Sequence, residues 1–159
     1  PAIIKAKSES AEKYHCRLQQ YFSLNTSLAY AIMIPIAFVG PILIRWIYGE
    51  DFIQAGPILS LHIITVILAF LQLARAQYLL AEGYYKFILF ASVLGAGVNI
   101  VLNLVLIPAY GGMGAAASTI LAQLVGILLA NYAYQPTRKV GNLMIRSIVM
   151  PWRGFFQRQ

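Results

Sequence analysis

The stretch 87–137, FILFASVLGAGVNIVLNLVLIPAYGGMGAAASTILAQLVGILLANYAYQPT, contains no Asp, Glu, Lys, Arg or His. Only Pro108-Ala109-Tyr110-Gly111-Gly112 interrupts it, a cluster of turn formers near its middle. The hydrocarbon core of a bilayer is about 30 Å thick and takes about 20 apolar helical residues to cross. The run is therefore long enough for two crossings, and the Pro-Gly cluster supplies the turn between them. A helical hairpin in lipid is predicted, with spans at 87–107 and 114–134.

Two more apolar stretches lie upstream. The first, 22–47, contains Pro35 and Pro41, and a proline in a spanning helix frees backbone groups that neighbouring helices must satisfy or screen. Arg45-Trp46-Ile47-Tyr48-Gly49-Glu50-Asp51 follows it and reads as a membrane boundary, with aromatic rings at headgroup depth and a turn at Gly49. The second stretch, 57–81, ends at Glu82-Gly83, and Lys86 opens the third. The expected fold is all-α and integral to the membrane, with four transmembrane helices over 22–134. An amphipathic segment, 1–21, precedes them, and a basic tail, 135–159, follows. In the first segment Ala11, Tyr14, Leu18 and Tyr21 recur at helical spacing opposite Lys13 and Arg17, the pattern of a helix lying in the interface. In the tail, Ile145, Ile148, Val149, Trp152 and Phe156 form a second apolar stripe, with Pro151 as a bend.

Composition agrees. The chain has 159 residues, 60% of them hydrophobic and 11% charged, against roughly 25% charged in soluble domains. The net charge of +7 is uneven: four Lys or Arg precede the first span, Lys86 lies in the loop after the second, and five follow the last. The opposite side holds only Arg45. The excess of cations marks the cytoplasmic side, so both termini are predicted there, in a multi-pass protein of the cell (inner) membrane. The bilayer is then the first partner, and no nucleic-acid partner is expected. Cys16, the only cysteine, excludes an internal disulfide, and no cofactor is indicated.

The segment Asn99-Ile100-Val101-Leu102-Asn103-Leu104-Val105-Leu106-Ile107-Pro108-Ala109-Tyr110-Gly111-Gly112-Met113-Gly114-Ala115-Ala116 resembles a recurrent pattern of bacterial polysaccharide and O-antigen flippases. These belong to the multidrug/oligosaccharidyl-lipid/polysaccharide exporter superfamily. Tyr48-Gly49-Glu50-Asp51-Phe52 after a Pro-containing span and Ala81-Glu82-Gly83 before a Lys are similar to the same family. The resemblance implies the last four helices of a twelve-helix protein, with the remaining N-terminal lobe as partner. It also implies a polyprenyl-pyrophosphate-linked oligosaccharide as substrate, moved by alternating access between two bundles.

Among single residues Arg75 is the most consequential, because an Arg inside a span usually faces a cavity or a partner. His62, Thr65, Gln72 and Arg75 share one face of an ideal helix, a polar stripe suited to a substrate path. A guanidinium fits phosphate through its forked donors, whereas Arg75 could otherwise reach the headgroups or pair with Glu82, two turns on. His62 is a candidate for proton coupling or for a neutral interhelical hydrogen bond. Gln123 is the polar side chain of the fourth span that could look into a cavity. Asn99, Asn103, Gly114 and Ser118 are expected to serve helix packing.

No catalytic set emerges, since Glu9, Glu12, Glu50, Asp51 and Glu82 all lie at or outside the span rims and His15 and His62 lie in separate elements. An enzyme is not expected. The leading expectation is a flippase; the alternatives are a multidrug exporter of the same superfamily and a non-transporting membrane assembly module.

Overall fold

The computed structural model describes residues 10–152, and all of their regular structure is helical, with no strand among them. Helix α1, Ala11–Tyr48, opens where the Ser10 side chain accepts the backbone N–H of Lys13 at 3.1 Å. It closes at Gly49, whose φ of 83° lies where only glycine sits without strain. Arg45 folds back over the break and donates to Glu50 Oε1. A short 3₁₀ turn, Glu50–Phe52, leads into α2, Ala55–His62, and then α3, Thr65–Ala81.

The predicted second span is thus two helical pieces. At the joint the N–H of Ile64, Val66 and Ile67 reach back three residues, to Leu61, Ile63 and Ile64. A 3₁₀ step turns about 120° per residue instead of about 100°, so the faces of α2 and α3 slide out of phase.

Helix α4, Tyr85–Gln123, contains Pro108 and bends sharply at Gly111, whose φ of 57° and ψ of −133° leave the helical region. Beyond the bend the chain runs back along itself. A methyl built on Gly95 would lie 3.4 Å from the Cα of Gly126, and one on Gly114 would fall on the carbonyl of Leu106. Glycine at these positions lets two backbones meet directly. The return arm passes through a π-helical stretch, Leu124–Leu129, then α5, Ala130–Ala133. After a 3₁₀ turn, Gln135–Thr137, comes the tail helix α6, Arg138–Val149.

Three helical stretches are long and apolar enough to cross a membrane: Lys13–Tyr48, Ala55–Ala81 and Tyr85–Ala133. Most of their large side chains face outward; Phe38 is 75% exposed and Leu104 73%. An exposed apolar surface this extensive is that of a membrane protein.

Two terminal stripes pack differently from expectation. Tyr14 and Leu18 belong to the buried core, together with Phe22, Leu71, Tyr78 and Met144. The amphipathic face of the first segment therefore packs on protein, and that segment is continuous with the first apolar stretch in α1. In the tail, Val140, Met144 and Ser147 form the buried face, while Ile145, Val149 and Trp152 are exposed. Of the predicted tail stripe, Phe156 lies outside the described residues.

Candidate functional site

A cavity of about 500 Å³ lies between α3 and the two arms of the hairpin. Ala69, Gln72 and Arg75 line it from α3; Ser92, Gly95 and Asn99 come from the outgoing arm, Thr119, Gln123 and Gly126 from the return arm. Small residues make the space: where Gly95 meets Gly126 there is no side chain to fill the gap left between the helices.

Arg75 is the charged group of this cavity. It is only 5% exposed, and its guanidinium stacks over the ring of Phe87, 5.4 Å from the centroid. That contact offsets part of the cost of removing the cation from water. Its Nε donates to Asn131 Oδ1 at 2.9 Å. Nη2 is buried and has no acceptor, and among the described residues no carboxylate pairs with this guanidinium. The sequence offered Glu82 as a partner, but Glu82 accepts the hydroxyl of Tyr14 at 2.8 Å. Nor does Arg75 extend to the surface, because Phe87 and Asn131 hold it among the helices.

Asn131 was not legible as a site residue. It is fully buried on α5. Since Arg can only donate, the amide atom facing it is the oxygen. The Nδ2 group then donates to the carbonyls of Ile127 and Leu128 at 2.7 and 3.2 Å and lies 3.6 Å from Met144 Sδ. Both carbonyls belong to the π-helical stretch. The tail helix closes over this point: Thr137 Oγ1 donates to Asn131 O at 2.9 Å, and Gly141 approaches the Asn131 side chain.

The other predicted residues divide. Gln72 and Gln123 join Arg75 at the cavity, and Gln123 Oε1 is buried without a donor. Asn99, expected in helix packing, also lines it, and accepts from Asn103 Nδ2 at 2.9 Å along the same helix. Asn103 Oδ1 has no donor of its own. Thr65 and His62 stand apart, outside the cavity lining. Thr65 Oγ1 donates to the His62 carbonyl at 2.7 Å, and the imidazole is exposed at the end of α2. Thr65 shares α3 with Arg75 but lies ten residues away along it, and His62 lies on the separate helix α2. Ser118 is buried and donates to Gly114 O at 2.8 Å, and Gly114 lies against the outgoing arm.

A buried cation with open donors, ringed by neutral amides, is an arrangement that accepts an anion carrying further hydrogen-bonding groups. Comparison with protein-family models, with curated proteins and with solved structures finds no match to this chain.

Proposed function

We propose that this chain is part of a membrane transporter that flips lipid-linked oligosaccharide across the cell membrane by alternating access. The observation that carries this reading is Arg75: a nearly buried guanidinium lining a cavity that also holds neutral amides, without a carboxylate among the described residues to neutralise it. An unpaired charge at that depth is costly and is kept where it serves a substrate or ion path. A pyrophosphate joining lipid to sugar would supply the missing counter-charge, and the surrounding amides would meet sugar hydroxyls. The sharp bend at Gly111 and the return of the chain against its outgoing arm support counting four crossings, with both termini on the cytoplasmic side of the inner membrane. The outward-facing aliphatic surface would serve as contact with lipid and with a further helical lobe. Among the described residues no acidic group lines the cavity, which favours an anionic substrate over the cations a multidrug exporter carries.

The test is export of surface polysaccharide by the full-length protein carrying Arg75→Ala or Arg75→Glu. Export should fall with Ala and vanish with Glu at unchanged protein levels. Normal export from both variants would remove Arg75, and with it this reading.

A further inference from the structure

We infer that Asn131 is a positioning residue: it fixes the Nε edge of Arg75 with a neutral oxygen, so that the Nη groups keep their full charge for a phosphate-bearing ligand. The inference rests on the anion reading of the cavity and deepens it.

Three observations converge. The first is the choice of partner. Arg75 Nε has one acceptor within reach, an amide oxygen at 2.9 Å, whose NH₂ group also meets two carbonyls that a carboxylate would repel. A carboxylate would bind the guanidinium more tightly and cancel its charge. An amide holds the side chain and leaves the charge in place. The second is the completeness of the clamp. Every hydrogen-bonding atom of the Asn131 side chain is engaged, its Nδ2 by the π-helical carbonyls of Ile127 and Leu128. The acceptor for Arg75 therefore cannot swing away without breaking the bonds that Nδ2 makes to these carbonyls. The third is what the clamp leaves over. Of the five N–H donors of a guanidinium only the one on Nε is used, and Nη2 is buried with no partner. The nearby Gln123 Oε1, likewise unpartnered, suits a hydroxyl on the same ligand.

The π-helical stretch acquires a purpose in this scheme. Its turn brings two carbonyls to where the Asn131 amide can take both, and these carbonyls directly follow Gly126, which meets Gly95 at the cavity. The ligand site and its support are built on the same arm.

The experiment measures thermal unfolding of the full-length protein in detergent while geranyl pyrophosphate or inorganic pyrophosphate is added. Asn131→Asp and Asn131→Leu are compared with the parent and with Arg75→Ala. Both variants lose the Nδ2 donor to the carbonyls of Ile127 and Leu128; Asp keeps an acceptor for Nε and adds a counter-charge, whereas Leu removes the acceptor. Asn131→Asp should therefore bind the pyrophosphate probe about tenfold or more weakly than the parent, out of proportion to its loss of stability measured beside that of Asn131→Leu. A merely structural role predicts that affinity follows stability, and that order overturns the proposal. If Arg75→Ala binds as the parent does, the anion reading itself falls. If Arg75→Ala loses binding while Asn131→Asp keeps it, only the role of Asn131 falls. A response to geranyl pyrophosphate alone identifies a lipid-linked ligand; an equal response to inorganic pyrophosphate identifies free phosphate as sufficient. A second measurement needs no Asn131 variant. In protein labelled with ¹⁵N-arginine, the Nε–H signal absent from Arg75→Ala should exchange slowly with water both without and with ligand. Fast exchange would show the clamp is not kept.

Discussion

The two halves of α1 belong to one unbroken helix and yet face different surroundings. Over residues 14–30 it buries Tyr14, Leu18, Phe22, Ser23, Thr26 and Ala29 against the rest of the protein. Over residues 31–48 only Gly40 is buried, and Ile34, Phe38, Ile42 and Leu43 point outward. The polar residues follow the burial. Gln19, Ser23, Asn25 and Thr26 all lie in the packed half, where Asn25 and Thr26 donate to their own helix at the carbonyls of Tyr21 and Phe22. In this helix the outer half carries its large aliphatic side chains on the surface, and the buried polar side chains lie in the packed half. A soluble protein arranges them the other way. Lipid is as apolar as leucine, so helices gain by close contact and shared hydrogen bonds rather than by hiding aliphatic groups.

The same division runs through the hairpin. Near the base, Ala91, Gly126, Ala130 and Asn131 are buried, whereas from residue 100 to the bend the large side chains are largely exposed. Near the bend Gly114 lies against the backbone of Leu106, and Gly112 against the side chain of Ile58. This leads to the largest expected effect. Gly114→Ala would drive a methyl into the carbonyl of Leu106, where neither partner is a flexible side chain. The arms must separate, and the cost should be about 3 kcal/mol or more, above the usual range for an overpacked side chain. Unfolding in detergent by added denaturing surfactant would measure it. A cost below that of a core truncation would mean that the bend is loose and that the contrast between the two ends is one of rigidity as well as burial.

A smaller effect probes the packed half directly. Leu18 is fully buried in the cluster with Tyr14, Phe22, Leu71 and Met144. Leu18→Ala should cost about 2 kcal/mol, at the low end for buried leucine. The cavity term remains, but the transfer term shrinks because the unfolded helix exposes this leucine to lipid or detergent rather than to water. The same unfolding assay applies, and a loss of less than about 0.5 kcal/mol, the range of surface substitutions, would show that the terminal stripe rests on lipid after all.

Much of the architecture was readable from residue order. The apolar runs, the turn at Pro108-Ala109-Tyr110-Gly111-Gly112 and the helix end at Gly49 follow from local rules, because proline and glycine act on the backbone where they stand. Arg75, Gln72 and Gln123 could be named because polarity inside an apolar run is conspicuous. What the pattern could not give was phase and partnership. The 3₁₀ joint after His62 centres on Ile63 and Ile64, residues with no turn preference, and it parts His62 from the helix that carries Arg75. Asn131 lies 56 residues from Arg75, in a run whose other polar members looked like the end of a span. Hydrogen bonds over that separation leave no periodic trace. The burial of Tyr14 and Leu18 was hidden for a related reason: an amphipathic face looks alike whether it meets lipid or the helices α3 and α6.

The smallest expected effect decides whether outward-facing leucines are passive. Leu104 on the outgoing arm is 73% exposed, and Leu104→Ala removes a side chain that touches little of the protein. In detergent its cost should stay within about 0.5 kcal/mol, because the micelle solvates that side chain equally in the folded and unfolded helix. The value matters most beside Leu18→Ala, which deletes the same atoms from the same residue type. Transfer energy, helix propensity and detergent are nearly common to both, so the difference isolates packing against protein. A full-length protein in which Leu104→Ala cost as much as Leu18→Ala would have this arm covered by another helix rather than by lipid. The division between packed and open halves would then describe this chain alone and not the assembly that contains it.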